Sequence, residues 1–222
     1  MRITLPSGTP AELALPPGPP SRGLVVFPDI MGLRPLFDDL TARLARDHGW
    51  AVCTVELFPG QELPTVDDRF MAVPLLADAS VVGDAEYAAS ELRTRAGCDR
   101  IAVMGFCMGG MYVYKAMASR WFDRGVAFYG MIRLPVAWRG ESQGEPLAAL
   151  DERPGVPLLA IVGALDPYTP PEDVAALEGL GPHVSVVSYP EAEHGFVHDP
   201  DRAAHRAGDA AEAWEKVATF LA

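Results

Sequence analysis

The stretch Gly105 to Gly110, GFCMGG, follows the apolar run Ile101 to Gly105 (IAVMG) and precedes a helical pattern from Gly110 to Arg120. A strand that enters a helix through G-x-C-x-G places its central residue on a tight turn at the carboxyl edge of a parallel sheet, with glycines letting strand and helix approach. The helix N-terminus there favours an anion, in this case a thiolate, and the amides just after the turn can face a developing oxyanion. Free cysteine is also a common small buried residue, so the motif alone leaves nucleophile and core thiol both open for Cys107.

Working outward, short apolar runs alternate with helical patterns. Gly23 to Phe27 (GLVVF) reads as a strand buried on both faces, and Trp50 to Leu57, Gly125 to Gly130, Pro157 to Val162 and Val184 to Tyr189 read as further strands. Leu36 to Asp47, Asp84 to Ala96, Pro171 to Gly179 and about Asp201 to Leu221 read as helices. The N-terminus, with SGTP between alternating segments, predicts a hairpin, and PPGPPSRG is a connector. This alternation predicts one α/β domain over residues 1–222, a doubly wound and mostly parallel sheet. Residues 59–82 and 131–154 fall outside the pattern and read as long loops that carry specificity or a lid.

The formal net charge of -12 repels phosphate backbones and anionic membranes, which argues against nucleic acid or lipid partners. No apolar run has the length of a membrane span and no signal peptide is visible, so a cytoplasmic location is expected. Cys53, Cys98 and Cys107 form no CxxC pair and have no histidines at metal-ligand spacing. Neither a disulfide framework nor a metal site is therefore expected.

Two residues downstream give Cys107 a context. Asp166 follows the apolar run PLLAIVGALD, and His194 follows VSVVSYPEAEHGF, so both stand at strand ends on the sheet edge that carries Cys107. An aspartate there is usually a cap and a lone histidine usually a surface residue. Nucleophile, acid and base in this chain order, each after a strand, form the hydrolase pattern in which His194 exchanges the proton and Asp166 fixes its tautomer. In FPDIMGL (Phe27 to Leu33) the amide of Ile30 pairs with that of Met108 as oxyanion donors, while Asp29 is a turn residue or a second carboxylate. Among the aromatic residues near this edge, Phe58 and Tyr168 are placed to wall a pocket.

FPDIMGL, GFCMGG, GVAFYG, GALDPYTP and EAEHGF together resemble the dienelactone hydrolase family, the carboxymethylenebutenolidases and their relatives, over nearly the whole chain. The resemblance implies an eight-stranded α/β-hydrolase core without a cap domain, a monomer or weak homodimer, no cofactor and no metal. It implies a Cys107, Asp166 and His194 triad, an oxyanion hole at Ile30 and Met108, and hydrolysis of a small ester or lactone through an acyl-cysteine. Where the family has a glutamate that holds the resting thiol, this chain has Asp29. Where well-known members have a carboxylate-binding arginine four residues after the histidine, it has His198, and Arg69 lies near the place of the other. A hydrolase-fold binding protein with slow turnover is the alternative, and a thiol redox protein would need a resolving cysteine that the sequence does not offer near Cys107.

Overall fold

The computed structural model describes residues Met1 to Ala222. Eight strands form one sheet: β1 Arg2–Thr4, β2 Pro10–Ala14, β3 Gly23–Phe27, β4 Ala51–Val55, β5 Ile101–Phe106, β6 Arg124–Phe128, β7 Leu158–Gly163 and β8 Val184–Tyr189. Their spatial order is β1-β2-β4-β3-β5-β6-β7-β8. The hairpin β1 and β2 is antiparallel and joins β4 antiparallel, and every pair from β4 through β8 is parallel. Since each helical crossover returns the chain to the same edge, the loops after β3, β5, β7 and β8 meet at the carboxyl end of the sheet.

The helices are α1 Pro35–His48, α2 Val66–Ala72, α3 Asp78–Ala96, α4 Met108–Ala116, α5 Pro146–Asp151, α6 Pro171–Glu178 and α7 Ala207–Leu221. Strand residues alternate between two cores. Val25 and Phe27 pack with α3 and α4, whereas Leu24 and Val26 pack with α1 and α7. Continuous apolar strands are what burial on both faces requires, and β3, β4, β5 and β7 are buried at every residue. No helix is long and apolar enough to cross a membrane.

Three boundaries differ from the sequence expectation. Residues 59–82 contain α2, a 3-10 turn at Val73–Leu75 and the start of α3, and residues 131–154 contain a 3-10 turn at Val136–Trp138 and α5. The final helix starts at Ala207 because Asp199 accepts from the Asp201 amide at 3.1 Å and holds the preceding segment in turns. The two long segments are tied together: Lys115 donates to Asp78 at 2.7 Å and to Gln143 at 2.8 Å, and Gln143 donates to the Val73 carbonyl at 2.8 Å.

Candidate active site

Cys107 stands between β5 and α4 with φ 57 and ψ -120, a backbone that side-chain-bearing residues rarely adopt. Its amide bonds the Phe128 carbonyl at 3.0 Å and its carbonyl accepts from Met111 at 3.0 Å, so the turn is fixed from both sides. A Cβ on Gly105 would stand 2.2 Å from the Gly109 carbonyl oxygen, and one on Gly109 would stand 2.2 Å from that of Pro28. The glycines of GFCMGG are therefore demanded by close backbone approach, and they bring the β3 loop against the N-terminus of α4. The amides of Met108, first in its helix, and of Ile30, on that loop, have no internal acceptor.

Asp166 is 3% exposed on the turn after β7. Its Oδ1 accepts from the Tyr168 amide at 2.8 Å, which leaves Oδ2 to accept from His194 Nδ1 at 2.7 Å. With its Nδ1 proton so held, His194 turns Nε2 towards the thiol side, where that nitrogen makes no hydrogen bond of ordinary geometry. Tyr129 and Tyr168 pack edge-on against the imidazole at 5.2 and 5.0 Å between ring centroids. Burial opposes a charged ring here, but the charge of Cys107 and the hydrogen bond to Asp166 outweigh it and push His194 up to about 10.

Cys107 and His194 open on a cavity of about 360 Å³ whose wall includes Ile30, Met31, Val66, Phe70, Met131 and Trp138. Asp29, Tyr168 and Arg202 complete it. Tyr168 reaches the wall from the turn after β7, while α2 and the 3-10 turn at Val136–Trp138 supply walls from the two long segments. Arg202 was not foreseen. Its guanidinium covers Gly195, whose φ is 82 and whose Cβ would stand 2.8 Å from Arg202 Cζ, and it forms none of the molecule's salt bridges. Nothing in the DPDR stretch signals this; the chain path after His194 alone brings it to the mouth.

Asp29 lines the cavity without bonding the thiol, whereas His198, Phe58 and Arg69 stand off the cavity wall. Asp29 Oδ1 accepts from Met31 at 2.9 Å and from Arg34 at 2.6 Å, and its Oδ2 accepts from Arg34 at 2.8 Å and from His198 at 2.9 Å. It makes no hydrogen bond to Cys107. His198 is 2% exposed, stacked on Phe37 at 5.6 Å, with Nδ1 on the Tyr129 hydroxyl, so it lies behind the cavity wall and cannot clamp a substrate carboxylate. Phe58 is buried in the core beneath Arg69, 5.4 Å from ring centre to guanidinium, and does not line the cavity. Arg69 donates to the Ile30 carbonyl at 3.1 Å and the Leu63 carbonyl at 3.0 Å, so it holds loops together instead of meeting substrate. No group of three or more His, Cys, Asp or Glu is placed to hold a metal ion.

The profile of the Dienelactone hydrolase family matches residues 9–222. A Bradyrhizobium sp. protein named "Probable 2-oxo-3-(5-oxofuran-2-ylidene)propanoate lactonase" is 26% identical over 209 residues, covering 89% of this chain and 82% of its own. A Synechocystis protein named "Putative carboxymethylenebutenolidase" is 27% identical over 208 residues, covering 87% and 82%. Among solved structures, the "Putative Dienelactone Hydrolase" of Klebsiella pneumoniae superposes with a TM-score of 0.83 at 26% identity, covering 100% of this chain and 97% of that one.

Proposed function

Because the chain belongs to the dienelactone hydrolase family, we propose that it cleaves an activated carboxylic ester or lactone through a thioester on Cys107. The observation that carries this reading is Cys107 on its strained turn beside a His194 whose other nitrogen is held by Asp166 at 2.7 Å. The Cys107 thiolate attacks the acyl carbon, and the carbonyl electron pair moves to oxygen, where the Ile30 and Met108 amides receive it. Collapse of this intermediate breaks the ester C–O bond, and the leaving oxygen takes the His194 Nε2 proton. His194 then removes a proton from water, whose oxygen attacks the thioester; collapse returns the thiolate and releases the acid. Thiolate leaves more readily than an ordinary alkoxide, so only an activated alkoxide or enolate competes with it in the first collapse.

The apolar cavity and the unpaired Arg202 at its mouth favour a substrate with an unsaturated or aromatic body and a carboxylate at one end. The lactonase name carried by the Bradyrhizobium relative fits that description. The test is steady hydrolysis of p-nitrophenyl acetate and of an enol-lactone carboxylate by wild type and Cys107→Ala. Turnover of either by wild type and not by the variant supports the reading, and equal rates in both sink it.

A further inference from the structure

The loop that carries Ile30 is held more firmly than a surface loop needs to be. Besides the four contacts on the Asp29 carboxylate, Gly32 closes a turn onto the Asp29 carbonyl at 2.9 Å, Leu33 donates to Glu56 at 2.8 Å, and Arg69 holds the Ile30 carbonyl. Asp29 is 3% exposed, and Arg34, which grips both its oxygens, lies over the Phe37 ring at 5.0 Å. Behind it, His198 joins this loop to Tyr129, a second residue with positive φ, at 39, on the turn after β6. Tyr129 in turn packs against His194. The buried chain Tyr129, His198, Asp29, Arg34 therefore spans from the imidazole's own neighbour to the oxyanion loop.

The hydrogen bonds fix their own direction. Burial, then the charges of Asp29 and Cys107, hold the Tyr129 hydroxyl protonated, and burial keeps His198 neutral against a carboxylate that can only accept, so Nδ1 is left to accept from that hydroxyl. His198 Nε2–H then donates to Asp29. Every favourable acceptor direction on the Asp29 carboxylate is filled, and a carboxylate so occupied has no lone pair left for a thiol proton.

We propose that His198 is a positioning residue: with Tyr129 and Arg34 it locks Asp29, presets the Ile30 amide towards the oxyanion, and keeps Asp29 out of the proton transfer at Cys107. This rests on the thioester reading above, and its failure is separable. Activity in Cys107→Ala would sink that reading, whereas an unaltered His198 variant of a Cys107-dependent enzyme would sink only the positioning role.

The experiment takes the full chain, p-nitrophenyl acetate as ester and iodoacetamide as the probe of the Cys107 thiolate. In His198→Ala, kcat falls about tenfold and KM changes less than about twofold, the scale of a displaced catalytic group. Alkylation of Cys107 keeps its wild-type rate, because His194 still holds the proton. His198→Gln, which can donate to Asp29, recovers most of kcat. Asp29→Asn likewise leaves alkylation unchanged. Should His198→Ala fail to fold, Tyr129→Phe carries the same test, with kcat about threefold lower and alkylation unchanged. Unchanged kcat in a folded His198→Ala, no recovery in His198→Gln, or an alkylation rate altered about tenfold in Asp29→Asn would each overturn the proposal.

Discussion

His194 and His198 stand four residues apart in one loop, and each donates to an aspartate. The two pairs do opposite things because of what meets the other nitrogen. His194 has Asp166 on Nδ1 and the thiol side on Nε2, so charge favours its protonated form and its proton can move. His198 has Asp29 on Nε2 and the Tyr129 hydroxyl on Nδ1; burial first, helped by Arg202 and Arg34, lowers its proton affinity although Asp29 raises it. In the proposed mechanism one imidazole carries the proton and the other is a neutral strut. The arginines repeat the contrast: Arg34 is spent on Asp29, while Arg202 faces the cavity without an acid. A His–Asp pair acquires its role from its third member.

The largest effect should come from breaking the mobile pair. Cys107→Ala or His194→Ala should reduce ester turnover about a thousandfold or more, read as kcat/KM on p-nitrophenyl acetate, because nucleophile and base act as a unit. Asp166→Asn keeps the shape but loses the charge and the tautomer control, so kcat should fall about a hundredfold with KM nearly unchanged. Comparable losses for Asp29→Asn would erase the distinction between the two pairs.

The free arginine offers a milder test. Arg202→Gln should raise KM about tenfold for a carboxylate-bearing lactone and leave hydrolysis of neutral p-nitrophenyl acetate at its wild-type rate. Arg69→Gln, by contrast, should affect both substrates alike, since Arg69 holds the Ile30 loop and is not part of the cavity wall.

The smallest effect separates the two histidines by stability. His194, raised from 6.5 to about 10, contributes stability that is fully present below pH 6.5 and is lost as pH rises through 10. His198 is lowered from 6.5, so the unfolded chain takes up its proton first and stability is lost as pH falls through 6.5. Asp29 is held below the ordinary carboxylate range by His198 and Arg34 despite its burial, and its contribution is lost only in stronger acid. Thermal melts should therefore show His198→Gln losing less stability than wild type as pH falls from 6.5 to 5, and His194→Gln flattening the alkaline limb instead.

The sheet was legible because double-sided burial writes uninterrupted apolar strands, and the turn at Cys107 because glycines on both sides have no substitute. Asp166 and His194 were legible from strand ends in chain order. The interior of the long segments was not, since short helices have weak periodicity, although Thr65 and Asp68 form a capping box at the start of α2 that the sequence displays as T-x-x-D. His198 was misplaced and Arg202 overlooked for a different reason. Which of two residues in a turn-rich loop points inward depends on Gly195, on Asp199 and on the aromatic shelf of Phe37 and Phe106, none of which spacing encodes.

The central claim, that Cys107 carries the acyl group, is tested most directly by acid-quenching wild-type protein during turnover of p-nitrophenyl acetate and mapping the adduct by peptide mass spectrometry. The account predicts one acetyl group on Cys107, formed and lost at rates that match steady-state turnover. Turnover with no acetyl on Cys107, sustained at the same rate in Cys107→Ala, would contradict it.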